Sequence, residues 1–106
     1  MKKSTNERET IITLPKEVNI CGVPYEVVLC EDNFDIDTHF GQIEYAESII
    51  KINSGVKEPM MQQTLCHEIV HGMLVHLGYQ DLSSDEQFVQ ALAMAINQSF
   101  VVKGGE

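Results

Sequence analysis

The chain has 106 residues, enough for one domain around a single core and too few for a second substantial one. Seven Lys and Arg against sixteen Asp and Glu leave a formal charge of −9, which repels phosphate backbones and anionic lipid and argues against nucleic acid or membrane as a partner. Cys21, Cys30 and Cys66 form an odd set without close pair spacing, and the polar stretch Met1–Thr10 leads into no signal-peptide core, so a reducing, cytoplasmic setting is expected.

Met1 to Arg8 and Lys103–Glu106 read as flexible ends of a single domain. From Val18 to Cys30, β-branched and aromatic residues punctuated by Gly22 and Pro24 predict two strands joined by a short turn. The acidic run Glu31, Asp32, Asp35 and Asp37 lacks the Gly and Glu spacing of a calcium loop and reads as solvated. Gln42–Tyr45 and Ser48–Asn53, with Ala46 and Glu47 at the turn, predict a second hairpin, since Ile50 and Ile52 alternate with Lys51.

Pro59 suits the first turn of a helix, where its missing N–H costs nothing, and Met60–Leu77 continues without a breaker until Gly78. Met60, Met61 and Met73 on this helix are expected to fill gaps in the core. Asp81–Ser84 reads as a loop, and Asp85–Val101 as a second helix with apolar spacing through Phe88, Leu92, Ala95 and Ile96. The expected fold class is α+β: a small antiparallel sheet of two hairpins packed on the first helix, with the second helix beside it.

His67-Glu68-Ile69-Val70-His71 is a His-Glu-x-x-His motif within the first helix. Four residues at 100° each bring the two imidazoles within about 40° of one another, so both can reach one ion. Neutral imidazole is a good zinc ligand, and Glu68 lies between the pair where it can act as general base toward a water acidified by the metal. With four His and eleven Glu in the chain, random placement gives on the order of 0.015 such matches, so chance is a poor explanation.

A catalytic zinc usually takes three protein ligands, so one must come from elsewhere. His76 lies about 140° around the helix from His71 and about 180° from His67, and faces away. Leu74 and Leu77 stand where a metzincin would carry its Gly and third His, and Cys66 is on the wrong side of the helix. Glu86, at the start of the second helix, is favoured as third ligand, with Asp85 as the other candidate. The same segment also offers a capping box, Ser83 as N-cap and Glu86 three residues on. Gln90 and Asn97 lie near the same helix face and are candidates to support a ligand, while Tyr45, Tyr79, His39 and His76 are candidates for oxyanion stabilisation among which sequence does not choose.

Thr64–His71 followed by Glu86-Gln87-Phe88-Val89-Gln90-Ala91-Leu92-Ala93 resembles the ImmA/IrrE-type zinc metallopeptidases, in particular small phage-encoded members. That family pairs His-Glu-x-x-His with a downstream Glu-x-x-Ala-Asn-x-Phe-Ala-like helix, and the resemblance implies one Zn²⁺ per chain with Glu86 as a gluzincin-type third ligand. Val89, Gln90 and Leu92 replace typical residues, and the repressor substrate of the best-known branch is not carried over. The resemblance extends upstream through Gly41-Gln42-Ile43 and Ile49–Ile52 and spans about Val18 to Val101. It also implies that an exposed strand beside the metal pairs with extended substrate, for which Ser48–Asn53 is the expected segment.

The expected function is therefore zinc-dependent hydrolysis of peptide bonds in a protein or peptide substrate, with His67, His71 and Glu86 as ligands and Glu68 as the base. The alternatives are a zinc-stabilised protein-binding module and a protease latent without a partner.

Overall fold

A computed structural model of the chain describes residues 14–31 and 40–102. The two expected flexible ends, most of the acidic run and His39 lie outside the described residues. Within them the order is β1 (Glu17–Ile20), β2 (Val23–Cys30), β3 (Gly41–Glu44), β4 (Ile49–Asn53), α1 (Glu58–His76), α2 (Gln80–Ser83) and α3 (Glu86–Ser99). The class is α+β, as composition and periodicity indicated.

Both hairpins form. Cys21 and Gly22 take φ values of 52° and 87°, the paired left-handed residues of a two-residue turn whose twist suits antiparallel strands. In the second hairpin β3 pairs antiparallel with β4 across the turn Tyr45–Ser48, where Ser48 has φ 55°. The expected all-antiparallel sheet is corrected to a mixed one of order β1-β2-β4-β3, because β2 and β4 pair in parallel, with Val27 opposite Ile50 and Leu29 opposite Ile52. This arrangement puts the two longest strands in the middle, with Tyr25, Ile50 and Ile52 buried, and leaves the shortest two as edges among the described residues. Hairpin pairing is local and legible in alternation; the joint between hairpins depends on contacts distant in sequence.

Val18, Ile20, Tyr25, Ile50, Ile52 and Leu65 form one buried cluster between the sheet and α1. A second joins Cys66, Val70 and Leu74 of α1 to Val89 and Ala93 of α3. Helix α1 is thus the middle layer, apolar toward the sheet on one side and toward α3 on the other, which explains why no single amphipathic stripe runs along it. Gly72 permits the close crossing over the sheet, since a Cβ there would stand 2.9 Å from Ile20 Cδ1 and 3.1 Å from Ile43 Cδ1. Of the three methionines, Met61 packs against the core, whereas Met60 and Met73 are about two-fifths exposed, at 39% and 40%, and fill no gap in it.

Helix α1 ends in a Schellman arrangement around Gly78, whose φ of 90° only glycine adopts without strain. Gly78 N–H donates to the Val75 carbonyl at 3.0 Å and Tyr79 N–H to that of Leu74 at 2.7 Å. The chain then reverses through α2, a helical turn where a loop was expected. The cap of α3 is also corrected: Asp85, not Ser83, is the N-cap, its carboxylate accepting from Phe88 N–H at 3.1 Å. Ser83 is buried and its hydroxyl is engaged elsewhere.

Candidate metal centre

Helical spacing puts His67 and His71 on one face of α1, their ring centroids 4.9 Å apart. Packing of Val89 and Ala93 onto Cys66, Val70 and Leu74 fixes α3 alongside, and the Asp85 cap starts that helix so that Glu86 occupies its first turn. Glu86 Oε1 lies 3.0 Å from His67 Nε2, and Oε2 lies 3.3 Å from His71 Nε2. One atom from each of the three residues lies within 4.8 Å of the others. Ligand atoms held at zinc-like bond lengths in a tetrahedron are about 3.3 Å apart, so the donor set fits a small divalent ion by chemistry and by spacing. Asp85, the other candidate, is occupied as the cap of α3.

The far nitrogens of both rings are engaged. His67 Nδ1 is 2.6 Å from Gln90 Oε1, and Gln90 stands one helical turn after Glu86, so a single face of α3 meets both nitrogens of one imidazole. His71 Nδ1 is 3.1 Å from the Ser83 hydroxyl. Asn97, the other residue considered for support, instead lies 3.6 Å from the Cys66 thiol. Burial pushes the Cys66 thiol pKa up and keeps it in its protonated form, away from the histidines.

Glu68 is 7% exposed and faces a cleft of about 780 Å³. Burial pushes its carboxyl pKa up to about 7; His67 pulls it back, and the negative charge of Glu86 adds to the rise. A carboxyl in that range can both take up and release a proton near neutrality. The close approach of β3 to α1 over this residue needs Gly41, where a Cβ would stand 2.5 Å from Thr64 Cγ2 and 3.4 Å from Glu68 Cγ.

The cleft is lined by Phe40, Ile43, Tyr45 and Met60 as well as by His67, His71 and Glu86. Tyr45 is the candidate tyrosine that reaches it; its hydroxyl pKa is pushed up to about 12 by burial and by the nearby Glu68. Tyr79 is outside the lining and 57% exposed, and His76 turns to the other side, its Nε2 2.7 Å from the Tyr25 hydroxyl. The expected substrate-pairing segment Ser48–Asn53 is corrected as well: β4 has partners on both sides, whereas among the described residues β3 is an edge strand, and Gly41, Gln42 and Ile43 line the cleft.

No family model, curated protein or solved structure matches the chain. No helix among the described residues is long and apolar enough to cross a membrane.

Sequence reasoning missed Ser83. Its signal was masked by the capping-box spacing to Glu86, which accounts for a serine at that position without reference to His71.

Proposed function

We propose that the chain is a zinc-dependent peptidase of the ImmA/IrrE type, acting on internal bonds of an extended protein segment in the cytoplasm. The observation that carries this reading is the convergence of Glu86 from α3 on the Nε2 atoms of His67 and His71, beside a buried acid that opens on a cleft.

His67, His71 and Glu86 would hold Zn²⁺, which when bound supplies Lewis acidity to polarise a scissile carbonyl and to acidify water. Glu68 takes the proton from the attacking water and returns it to the departing amide nitrogen, the two transfers a single carboxylate beside the metal site can perform in sequence. Its burial keeps bulk water from competing for that proton. The outer edge of β3, unpaired among the described residues, can hydrogen-bond an extended backbone, which would lie along the cleft with its side chains against Phe40, Tyr45 and Met60.

The test is digestion of an unfolded protein by the zinc-supplied chain, with fragments read by mass spectrometry. Internal cuts made by the native chain and absent with Glu68→Gln support the reading; a native chain that binds zinc and cuts nothing contradicts it.

A further inference from the structure

Ser83 is the single buried residue of α2, at 6% exposure, while Gln80, Asp81 and Leu82 around it are exposed. An element whose one fully buried side chain carries a hydroxyl gains little from burying it, and that burial is costly unless the hydroxyl is hydrogen-bonded. The hydroxyl is bonded on more than one side. It lies 3.1 Å from His71 Nδ1, approaches the His71 carbonyl as a donor at 3.5 Å, and stands close enough to the Tyr45 hydroxyl to influence its ionisation.

We propose that Ser83 is a positioning residue for the metal centre, its hydroxyl holding His71 in the Nδ1–H tautomer so that Nε2 is free to bind a metal ion beside Glu86. This rests on His71 being a metal ligand. The proton count supports it: a serine hydroxyl has one hydrogen, and directing it to the His71 carbonyl leaves lone pairs toward Nδ1. On that assignment Nδ1 carries the ring's hydrogen and Nε2 is the bare nitrogen, free to share a cation with Glu86 Oε2 3.3 Å away. His71 thus has its orientation set from one element, α2, and its partner supplied by another, α3. Tyr45, at the β3–β4 turn, lines the same cleft and stands near this hydroxyl.

The experiment compares the native chain with Ser83→Ala, Ser83→Thr and Tyr45→Phe, each first checked for a cooperative thermal transition. Zinc affinity is measured by chelator competition, and the His71 Nδ1–H resonance is observed in zinc-loaded protein labelled with ¹⁵N-histidine. Ser83→Ala should bind zinc about 10–100-fold more weakly, in line with other losses of a group supporting a metal ligand, and its Nδ1–H should exchange too fast to observe. Ser83→Thr should recover most of the affinity and the resonance. Tyr45→Phe should keep the resonance and change zinc affinity less than Ser83→Ala does. Native affinity and an intact resonance in Ser83→Ala would overturn the proposal, as would equal losses in the alanine and threonine variants, which would make the position one of packing alone. A native chain that takes up no zinc would overturn the ligand reading beneath it, an outcome visible before any variant is compared.

Discussion

The Glu86 carboxylate reaches His67 Nε2 at 3.0 Å from a different helix, although its side chain is 69% exposed and makes no contribution to the core. An exposed acid held against two imidazoles is expected to matter for binding and little for folding. Glu86→Ala should therefore leave the thermal midpoint of the metal-free chain nearly unchanged while sharply weakening zinc binding. Calorimetric titration with zinc, alongside thermal unfolding in chelator, checks both halves.

Gln90 should behave as a support rather than as a ligand. Replacing it by Leu removes the acceptor 2.6 Å from His67 Nδ1 and should weaken zinc binding about 10–100-fold. Gln90→Glu, which keeps an acceptor oxygen at that reach, should retain most of the affinity. Chelator competition on the two variants separates loss of the acceptor from loss of packing.

Glu68 gives the metal-free chain a signed pH dependence. Its folded pKa is raised from 4.5 to about 7, so the folded state holds the proton more tightly than the unfolded state. The corresponding stability is fully present below the unfolded value and is lost as pH rises through about 7. Glu68→Gln removes this loss because the amide does not ionise. In chelator, the stability advantage of Glu68→Gln over the native chain should grow between about pH 5 and about pH 8, as read by urea denaturation at each pH.

Two glycines set how closely α1 approaches the sheet, and they should not be equally tolerant. At Gly41 an added methyl meets Thr64 Cγ2 and stands 3.2 Å from the Lys51 carbonyl; Thr64 is held in place because its hydroxyl donates to the Met60 carbonyl at 2.7 Å. At Gly72 the nearest atoms are methyl ends of Ile20 and Ile43, which can shift, and alanine also gains about 1 kcal/mol of helix propensity. Gly41→Ala should cost about 1–3 kcal/mol, with Gly72→Ala costing less. Denaturant midpoints of the two variants provide the comparison.

What was legible in the sequence follows the range of each interaction. The His67–His71 spacing, the two hairpins and the stop at Gly78 are local, and each is set by a periodicity or by one residue's backbone freedom. The place of Glu86 was approachable because the segment between the two helices is short. The parallel pairing of β2 with β4 was not, since it is fixed by the shared core of Tyr25, Ile50, Ile52 and Leu65, which lie far apart in the chain. That one pairing also decides which strand lies at the edge among the described residues, and so moves the expected substrate strand from Ser48–Asn53 to Gly41–Glu44. Ser83 escaped for a different reason: a serine three residues before a glutamate fits a cap, and only the approach of α2 to α1 reveals that its hydroxyl meets His71.

The most direct measurement is the metal content of protein purified without added metal, for the native chain, His71→Ala and Glu68→Gln, followed by assay of all three on unfolded protein. The expected result is one zinc per native chain, lost in His71→Ala, retained in Glu68→Gln, and peptide cleavage by the native chain alone. Zinc retained without cleavage in any of the three would indicate a binding module or a partner-dependent enzyme. A native chain that binds no zinc even when the metal is supplied would mean that His67, His71 and Glu86 form only an ion-paired cluster, and would contradict the account at its centre.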